Sequence, residues 1–225
     1  MLRNLLHFTG QNLWFFAISV APLAQVFALE FTSPLWVIVL SPLLLAERMT
    51  RLRAVCALAG FIGILIVARP SAETMSPGLI AAAAAAVFFA MTTITTKRLT
   101  RTESIGSIMF WLTLIQLILG IIAAGHDGDI ALPDRAALPY VLVIAIGGLL
   151  AHYCLTNALA IAPAAIVVPF DFARLPTIAI IGALLYGEQP DIWVLVGAAI
   201  IFGANYVNVL GETRRNRVAA TGVVG

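Results

Sequence analysis

The sequence predicts an all-α, polytopic membrane protein with eight transmembrane helices. Of its 225 residues, 61% are hydrophobic and 11% are charged, and its mean hydropathy is +1.02. A soluble domain carries about 25% charged residues, so this chain lacks the polar surface that a water-exposed globule needs. The charged residues also gather in short clusters between long neutral stretches, which is typical of a chain that crosses a bilayer several times.

Each predicted span is an apolar run of the length that a bilayer requires. About 20 helical residues cross a hydrocarbon layer of ~30 Å, and the runs end at charges, prolines or glycines. The predicted spans are residues 2–20, 22–46, 52–69, 77–96, 106–124, 138–160, 163–187 and 190–210. An even number of spans places both termini on one side of the membrane.

The distribution of Lys and Arg predicts that this side is the cytoplasm. With both termini inside, the outer segments hold two basic residues, Arg69 and Arg135, and the inner segments hold ten. Cytoplasmic loops carry such an excess of positive charge. We therefore predict a multi-pass protein of the cell inner membrane with both termini cytoplasmic. The ten inner residues are Arg3, Arg48, Arg51, Arg53, Lys97, Arg98, Arg101, Arg214, Arg215 and Arg217.

The chain repeats itself at a fixed offset of 141 residues. Pro22 matches Pro163 and Glu47 matches Glu188, and many identical pairs lie between residues 17 and 61 and their counterparts. Five predicted span starts separate the two glutamates, and this odd count makes the second copy inverted relative to the first. Inverted repeats are typical of secondary transporters, whose substrate site lies where the two repeats meet.

Two long segments and the helices after them resemble a known family. The segments are "APLAQVFALEFTSPLWVIVLSPLLLAERM" at 21–49 and "APAAIVVPFDFARLPTIAIIGALLYGEQP" at 162–190, followed by "GFIGILIV" at 60–67 and "GAAIIFGANYV" at 197–207. This pattern resembles the EamA-type repeat of the drug/metabolite transporter superfamily. The resemblance implies a secondary transporter that moves small organic metabolites or drugs across the inner membrane by alternating access, with proton coupling as an option.

The same resemblance divides the chain into unequal parts. Members of this family have ten spans as two five-helix repeats, so residues 1–70 would be a partial first repeat of three helices. Residues 71–211 would be the complete second repeat, and residues 212–225 a cytoplasmic tail. We expect the first two helices to be lacking, through a start assigned too late or a shortened paralogue. The alternatives are an eight-span protein that restores its wall as a homodimer, and a truncated, non-transporting membrane protein or assembly partner.

Ionisable residues within the spans are the strongest candidates for a substrate site. Glu30 and Asp171 are repeat partners, each eight residues after the proline that opens its span, and so ~12 Å along a helix. A carboxylate at mid-depth costs ~2.5–3.5 kcal/mol and usually faces a cavity or a partner. Arg174 follows Asp171 by three residues, on the same helical face, and its repeat partner is Ser33.

Two interpretations of this cluster stay open. In the first, Glu30 binds a proton or a cationic group of the substrate, and Arg174 binds an anionic group. In the second, Asp171 and Arg174 form a closed ion pair, and Glu30 is neutral and hydrogen-bonded to Thr32 or Ser33.

Prolines and polar or aromatic residues supply further candidates. Pro34 and Pro42 interrupt the second span, and Pro169 and Pro176 the seventh; such breaks expose backbone groups to a substrate or simply bend the helix. Residues that line the path or else pack or face lipid are Gln11, Asn12, Trp14, Trp36, Trp111, Gln116, His152, Tyr153 and Asn157. Of these we favour Trp36, Trp111, His152, Tyr153 and Asn157 as substrate-binding residues.

Small residues predict close helix contacts. The segment "LIAAAAAAVFFA" at 79–90 and the pairs Gly60/Gly63 and Gly197/Gly203 let another helix approach.

Other classes of function find no support in the sequence. It holds no metal-ligand spacing, nucleophile elbow or phosphate-binding glycine loop, so we predict no enzyme activity, no metal and no cofactor. The expected partners are a small-molecule substrate and the lipid bilayer, with no nucleic acid.

Overall fold

The computed structural model describes residues 1–21, 23–46, 50–68, 76–126, 128, 130, 132–168, 170, 184 and 192–221. These residues form nine α-helices and no strand, which confirms the predicted all-α class. The helices are α1 (Leu2–Val20), α2 (Leu23–Glu30), α3 (Ser33–Leu45), α4 (Arg51–Ala68), α5 (Pro77–Leu99), α6 (Ile105–Ala124), α7 (Leu138–Ile161), α8 (Ala164–Val167) and α9 (Ile192–Thr221).

Among the described residues, three helices are long and apolar enough to cross a membrane, namely α5, α6 and α7. The helices α1, α4 and α9 match the predicted spans 2–20, 52–69 and 190–210 in position. The total of eight spans stays a prediction, because the seventh lies almost entirely outside the described residues. The last helix continues to Thr221, so residues 212–221 extend α9 into the segment predicted as a tail.

The second predicted span, residues 22–46, forms two helices because Pro34 follows Glu30 by four residues. Pro34 has no N–H and cannot bond to the carbonyl of Glu30 four residues earlier. The chain therefore leaves the helix at Phe31 and Thr32, and Pro34 starts α3 within its first turn. Pro42 lies inside α3 and has no N–H to donate to the carbonyl of Ile38, four residues earlier. The hydroxyl of Ser41 donates to that carbonyl instead, at 3.4 Å. The predicted interruption at Pro34 is confirmed, whereas Pro42 leaves the helix continuous.

The alanine-rich helix α5 is the centre of the bundle and packs along the length of α1. Ala82, Ala85 and Ala86 are fully buried, which confirms that the alanine segment makes close helix contacts. A methyl group at Gly10 of α1 would lie 3.0 Å from Cβ of Phe88, so the two helices approach as closely as glycine allows. The helices α2 and α3 also pack against α5.

The second extensive contact joins α4 and α9. A Cβ at Gly63 would lie 2.9 Å from the carbonyl oxygen of Gly197, as the predicted small-residue contact requires. Gly60 instead makes room for Leu35 of α3. Among the described residues, an added Cβ at Gly203 would meet nothing within 4 Å, so a helix contact at Gly203 stays a prediction.

The helix α7 is attached to the bundle at its C-terminal end. The Nζ of Lys97 donates to the carbonyls of Leu159 (2.6 Å) and Ala162 (2.8 Å), which lie at the C-terminal end of α7. Cations at a helix C-terminus are favourable because the last carbonyls lack partners within the helix. Earlier in α7, Val143 and Ile144 are 71% and 70% exposed, so this part stands away from the bundle.

Ala21 and Ala162, which are 141 residues apart, have the same backbone geometry. Ala21 ends α1 with φ −133° and ψ 155°, and its repeat partner Ala162 ends α7 with φ −135° and ψ 155°. Each precedes a proline, which favours extended backbone at the preceding residue.

Candidate functional site

A cavity of about 270 Å³ lies between α1, α5 and α7, at the break between α2 and α3. Its polar lining comes from residues far apart in the sequence. These residues are Arg3, His7, Glu30, Ser33, Thr92, Thr93, Thr96, His152 and Thr156. Apolar side chains, including Phe31, Phe89 and Leu155, complete the wall. A mostly apolar cavity with a few convergent polar groups is typical of a small-molecule site.

Glu30 lies at the end of α2, where the chain turns toward the cavity. Its side chain is 9% exposed, and its Oε2 accepts a hydrogen bond from Nε1 of Trp14 at 2.7 Å. The indole of Trp14 packs edge-on against Phe15 and Phe27, which holds the donor in place. The alternative hydrogen bond from Thr32 is wrong, because Thr32 Oγ1 has no hydrogen-bond partner within the described ranges.

A series of threonines on α5 supplies acceptor oxygens to the cavity. The hydroxyls of Thr92, Thr93 and Thr96 each donate to the carbonyl four residues earlier, at 2.8, 3.0 and 2.7 Å. Each hydroxyl hydrogen is thereby used within the helix, and the oxygen lone pairs are left to accept. Thr156 of α7 does the same with His152.

Arg3 donates a hydrogen bond to one of these threonine hydroxyl oxygens and is buried inside the bundle. Its side chain is 4% exposed, and its Nε donates to Oγ1 of Thr96 at 3.0 Å. Its Nη1 donates to Oδ1 of Asn4 at 3.1 Å, and the amide of Asn4 donates to the carbonyl of Trp111. The amide of Gln116 donates to the carbonyl of Asn4, so two bonds tie α6 to this end of α1.

Two histidines that line the cavity are in edge contact with each other. The rings of His7 and His152 have centroids 4.6 Å apart and are nearly perpendicular. His7 also contacts the ring of Phe89 at 6.1 Å. The Nδ1 of His7 is buried and has no hydrogen-bond partner among the described residues. Buried polar atoms are normally paired, so this nitrogen is one that a ligand would satisfy.

Three of the nine predicted site residues come together in this cavity: Glu30, Ser33 and His152. Asp171 and Arg174, together with Pro169 and Pro176, lie outside the described residues. Their predicted roles stay predictions.

The other four candidates lie elsewhere. Trp36 lines a separate apolar pocket of about 360 Å³ with Leu35 and Phe61. Trp111 lines a pocket of about 370 Å³ that shares Arg3 with the central cavity. Tyr153 is 51% exposed, and the amide of Asn157 donates to the carbonyl of Tyr153 within α7. None of the four borders the central cavity.

Arg3 and His7 line the cavity but were not predicted as site residues. Arg3 was counted with the basic residues of a cytoplasmic flank, whereas its side chain is buried and bonds to Oγ1 of Thr96 on α5. A signal was present, because Arg3 and His7 are four residues apart and therefore share a helical face with Gly10. In the part of the chain that the structure describes, no three His, Cys, Asp or Glu side chains are grouped as a metal site.

Comparison with known proteins decides the family. The sequence profile of the EamA-like transporter family matches residues 2–69 and 76–210. The chain belongs to the EamA-like transporter family. The resemblance to the drug/metabolite transporter superfamily is thereby confirmed, and the protein is a polytopic membrane protein of a transporter family rather than an enzyme.

Two relatives in this family are named for the molecules that they transport. A riboflavin transporter of Brucella anthropi is 33% identical over 97% of this chain and 78% of its own length. An S-adenosylmethionine uptake transporter of Rickettsia bellii is 28% identical over 95% of this chain and 73% of its own. A solved crystal structure of a protein with 20% sequence identity superposes on this chain with a TM-score of 0.71. The match covers 92% of this chain and 74% of the solved chain, so the two share a fold.

Proposed function

We propose that this protein is a secondary transporter that carries a small organic metabolite across the bacterial inner membrane by alternating access. The observation that supports this proposal most is the central cavity, which places Arg3, Glu30 and two imidazoles inside a bundle of apolar helices. Ionisable groups are costly in the hydrocarbon region and mark substrate or ion pathways. In an EamA-family chain, such a cavity is the place where a polar solute would bind.

The inverted repeat supports alternating access. Two copies of opposite orientation can exchange conformations, which opens a shared site to each side in turn. The matching backbone at Ala21 and Ala162 is consistent with two copies of one unit. The cavity borders the end of α2, which belongs to the first copy, and α7, which belongs to the second.

The substrate class follows from the cavity and the relatives together. A cavity of about 270 Å³ lies just below the ~300–1,000 Å³ that is typical of small-molecule sites. The relatives are named for riboflavin and S-adenosylmethionine, both ring-containing polar metabolites. We propose that a polar metabolite of this kind is carried, with Glu30 taking its cationic group or a coupling proton.

Uptake into proteoliposomes tests the transport proposal. We expect the purified full chain to exchange labelled riboflavin, S-adenosylmethionine or a component of a bacterial metabolite extract against the same compound inside the vesicle. Protein-free vesicles and vesicles with heat-inactivated protein give the background. If no component exchanges above this background while the protein remains folded, the proposal is wrong, and the non-transporting alternative is favoured.

We also propose that both termini are cytoplasmic. The support is the excess of basic residues in the segments that would then be internal, ten against two. Single cysteines at Thr102 and Asp134, both in exposed turns between helices, test this orientation in a background without Cys56 and Cys154. We expect a membrane-impermeant maleimide to label Asp134→Cys in intact spheroplasts and Thr102→Cys only after lysis. The reverse pattern would contradict the orientation.

A homodimer stays a prediction that chemical crosslinking in membranes would test.

A further inference from the structure

We propose that Arg3, with His7 and His152, forms an anion-binding site at one end of the central cavity, which takes a carboxylate or phosphate group of the transported molecule. This inference rests on the proposed transport function and names one chemical group of the substrate. It assigns the anionic group to a residue other than Arg174.

The first step is the state of the Arg3 side chain. A guanidinium carries five N–H donors and stays protonated in proteins. Two of these donors are used, by Oγ1 of Thr96 and Oδ1 of Asn4. Within the described ranges no carboxylate bonds to Arg3, although the side chain is 4% exposed. A buried cation is stabilised by pairing with an anion, so this position is suited to an anionic group that arrives from outside.

The guanidinium of Arg3 is held in one orientation by two hydrogen bonds. The bond from Nε to Thr96 and the bond from Nη1 to Asn4 fix the plane of the guanidinium from two sides. Three N–H donors remain, two on Nη2 and one on Nη1. Adjacent donors of this kind match the two oxygens of a carboxylate or phosphate. The site is therefore set up before a ligand arrives, because both positioning residues are buried.

The third step is the pair of imidazoles one helical turn away. His7 lies four residues after Arg3 on α1, and the ring centroid of His152 lies 4.6 Å from that of His7. Nδ1 of His7 is buried without a hydrogen-bond partner among the described residues. A neutral imidazole has one N–H donor and one acceptor nitrogen, so the pair can donate to an anion held by Arg3.

Thermal unfolding of the full chain in phosphatidylcholine nanodiscs tests this site without requiring transport. The probes are benzoate for the carboxylate arm, phenyl phosphate for the phosphate arm, and benzamide as the neutral match. We expect one or both anions to raise the melting temperature of the wild type, and benzamide to raise it much less. A ligand that binds the folded state stabilises it in proportion to the logarithm of its concentration above Kd.

The variants separate charge from packing. We expect Arg3→Gln to weaken binding of the anion by about tenfold or more, which is typical of losing a charge-assisted hydrogen bond. Thr96→Val keeps the side-chain shape and removes the oxygen that holds Nε, so a smaller loss is expected even if Arg3→Gln does not fold. The matched control is Arg135→Gln, at an exposed arginine away from the cavity, which should respond as the wild type does.

Each outcome decides the inference. Stabilisation by benzoate alone or phenyl phosphate alone supports the site and selects the carboxylate or phosphate class. Equal stabilisation by benzamide, no stabilisation by either anion, or an unchanged anion response in both Arg3→Gln and Thr96→Val would overturn it. If phosphatidylglycerol in the nanodisc stabilises the wild type and abolishes the response to soluble anions, a lipid headgroup occupies the site, and the substrate assignment is wrong. The uptake assay does not depend on these melting temperatures. A failure of the anion-site proposal can therefore be told apart from a failure of the transport proposal.

Discussion

Exchange of Glu30 for Gln is expected to lower substrate uptake by about tenfold or more while the protein stays folded. The carboxylate of Glu30 is 9% exposed, lines the central cavity and accepts from Trp14 at 2.7 Å. Gln keeps the size of the side chain and an oxygen that can accept from Trp14, but it carries no charge and cannot release a proton. A hydrogen bond to a charged group contributes about 1.5–3 kcal/mol, and 1.4 kcal/mol is a factor of ten in binding.

Two assays on the same vesicles separate the two roles proposed for Glu30. If Glu30 carries a coupling proton, Glu30→Gln keeps exchange of labelled for unlabelled substrate but loses accumulation driven by a pH gradient. If Glu30 binds a cationic group of the substrate, both activities fall together.

The matched control for Glu30→Gln is Asp134→Asn. Asp134 is an exposed carboxylate whose Oδ1 accepts from the backbone N–H of Ala137 at 2.6 Å, and an Asn oxygen preserves that bond. We expect Asp134→Asn to match the wild type in both assays. Wild-type uptake with wild-type pH dependence in Glu30→Gln would remove Glu30 from the mechanism, and the cavity would then act through its other polar groups.

The sequence predicted the class of the fold and the polar centre of the site better than it predicted the site's extent. Glu30 was identified because a carboxylate in an apolar run is rare and costly, which is a property of the sequence alone. The break after it could also be predicted, because a proline four residues later removes a specific backbone bond. Both arguments use residues that are close in the chain.

Residues whose role depends on distant contacts could not be placed in this way. Arg3 looks like an ordinary cytoplasmic flank until Thr96, 93 residues later, accepts from its Nε. Trp111 and Tyr153 were chosen by residue type, yet both are about half exposed, as interfacial aromatic residues often are. The inward face of α7 is equally hard to predict, because His152 and Thr156 share one helical face while Tyr153 and Asn157 share the next.

Replacement of Gly63 by a larger residue is expected to destabilise the protein by forcing α4 and α9 apart. An added Cβ would lie 2.9 Å from the carbonyl oxygen of Gly197 and 2.8 Å from Cγ1 of Ile201. The oxygen belongs to the α9 backbone and cannot rotate away, so α4 and α9 would have to separate. Overpacking of this kind costs about 1–3 kcal/mol, and we expect Gly63→Ala to melt several degrees below the wild type. Gly63→Leu should yield little monodisperse protein.

Gly203→Ala is the control that isolates the clash. Gly203 lies on the partner helix α9, and an added Cβ there would meet no atom of the described part of the chain within 4 Å. Both substitutions replace a helical glycine by alanine, so both gain up to about 1 kcal/mol of helix propensity. The difference between their melting temperatures in the same nanodiscs therefore reports the contact between α4 and α9. Equal stability of the two variants would mean that the helices are further apart than the structure places them, and that the cluster of Phe31, Ile64 and Ile201 beneath this contact is more loosely packed.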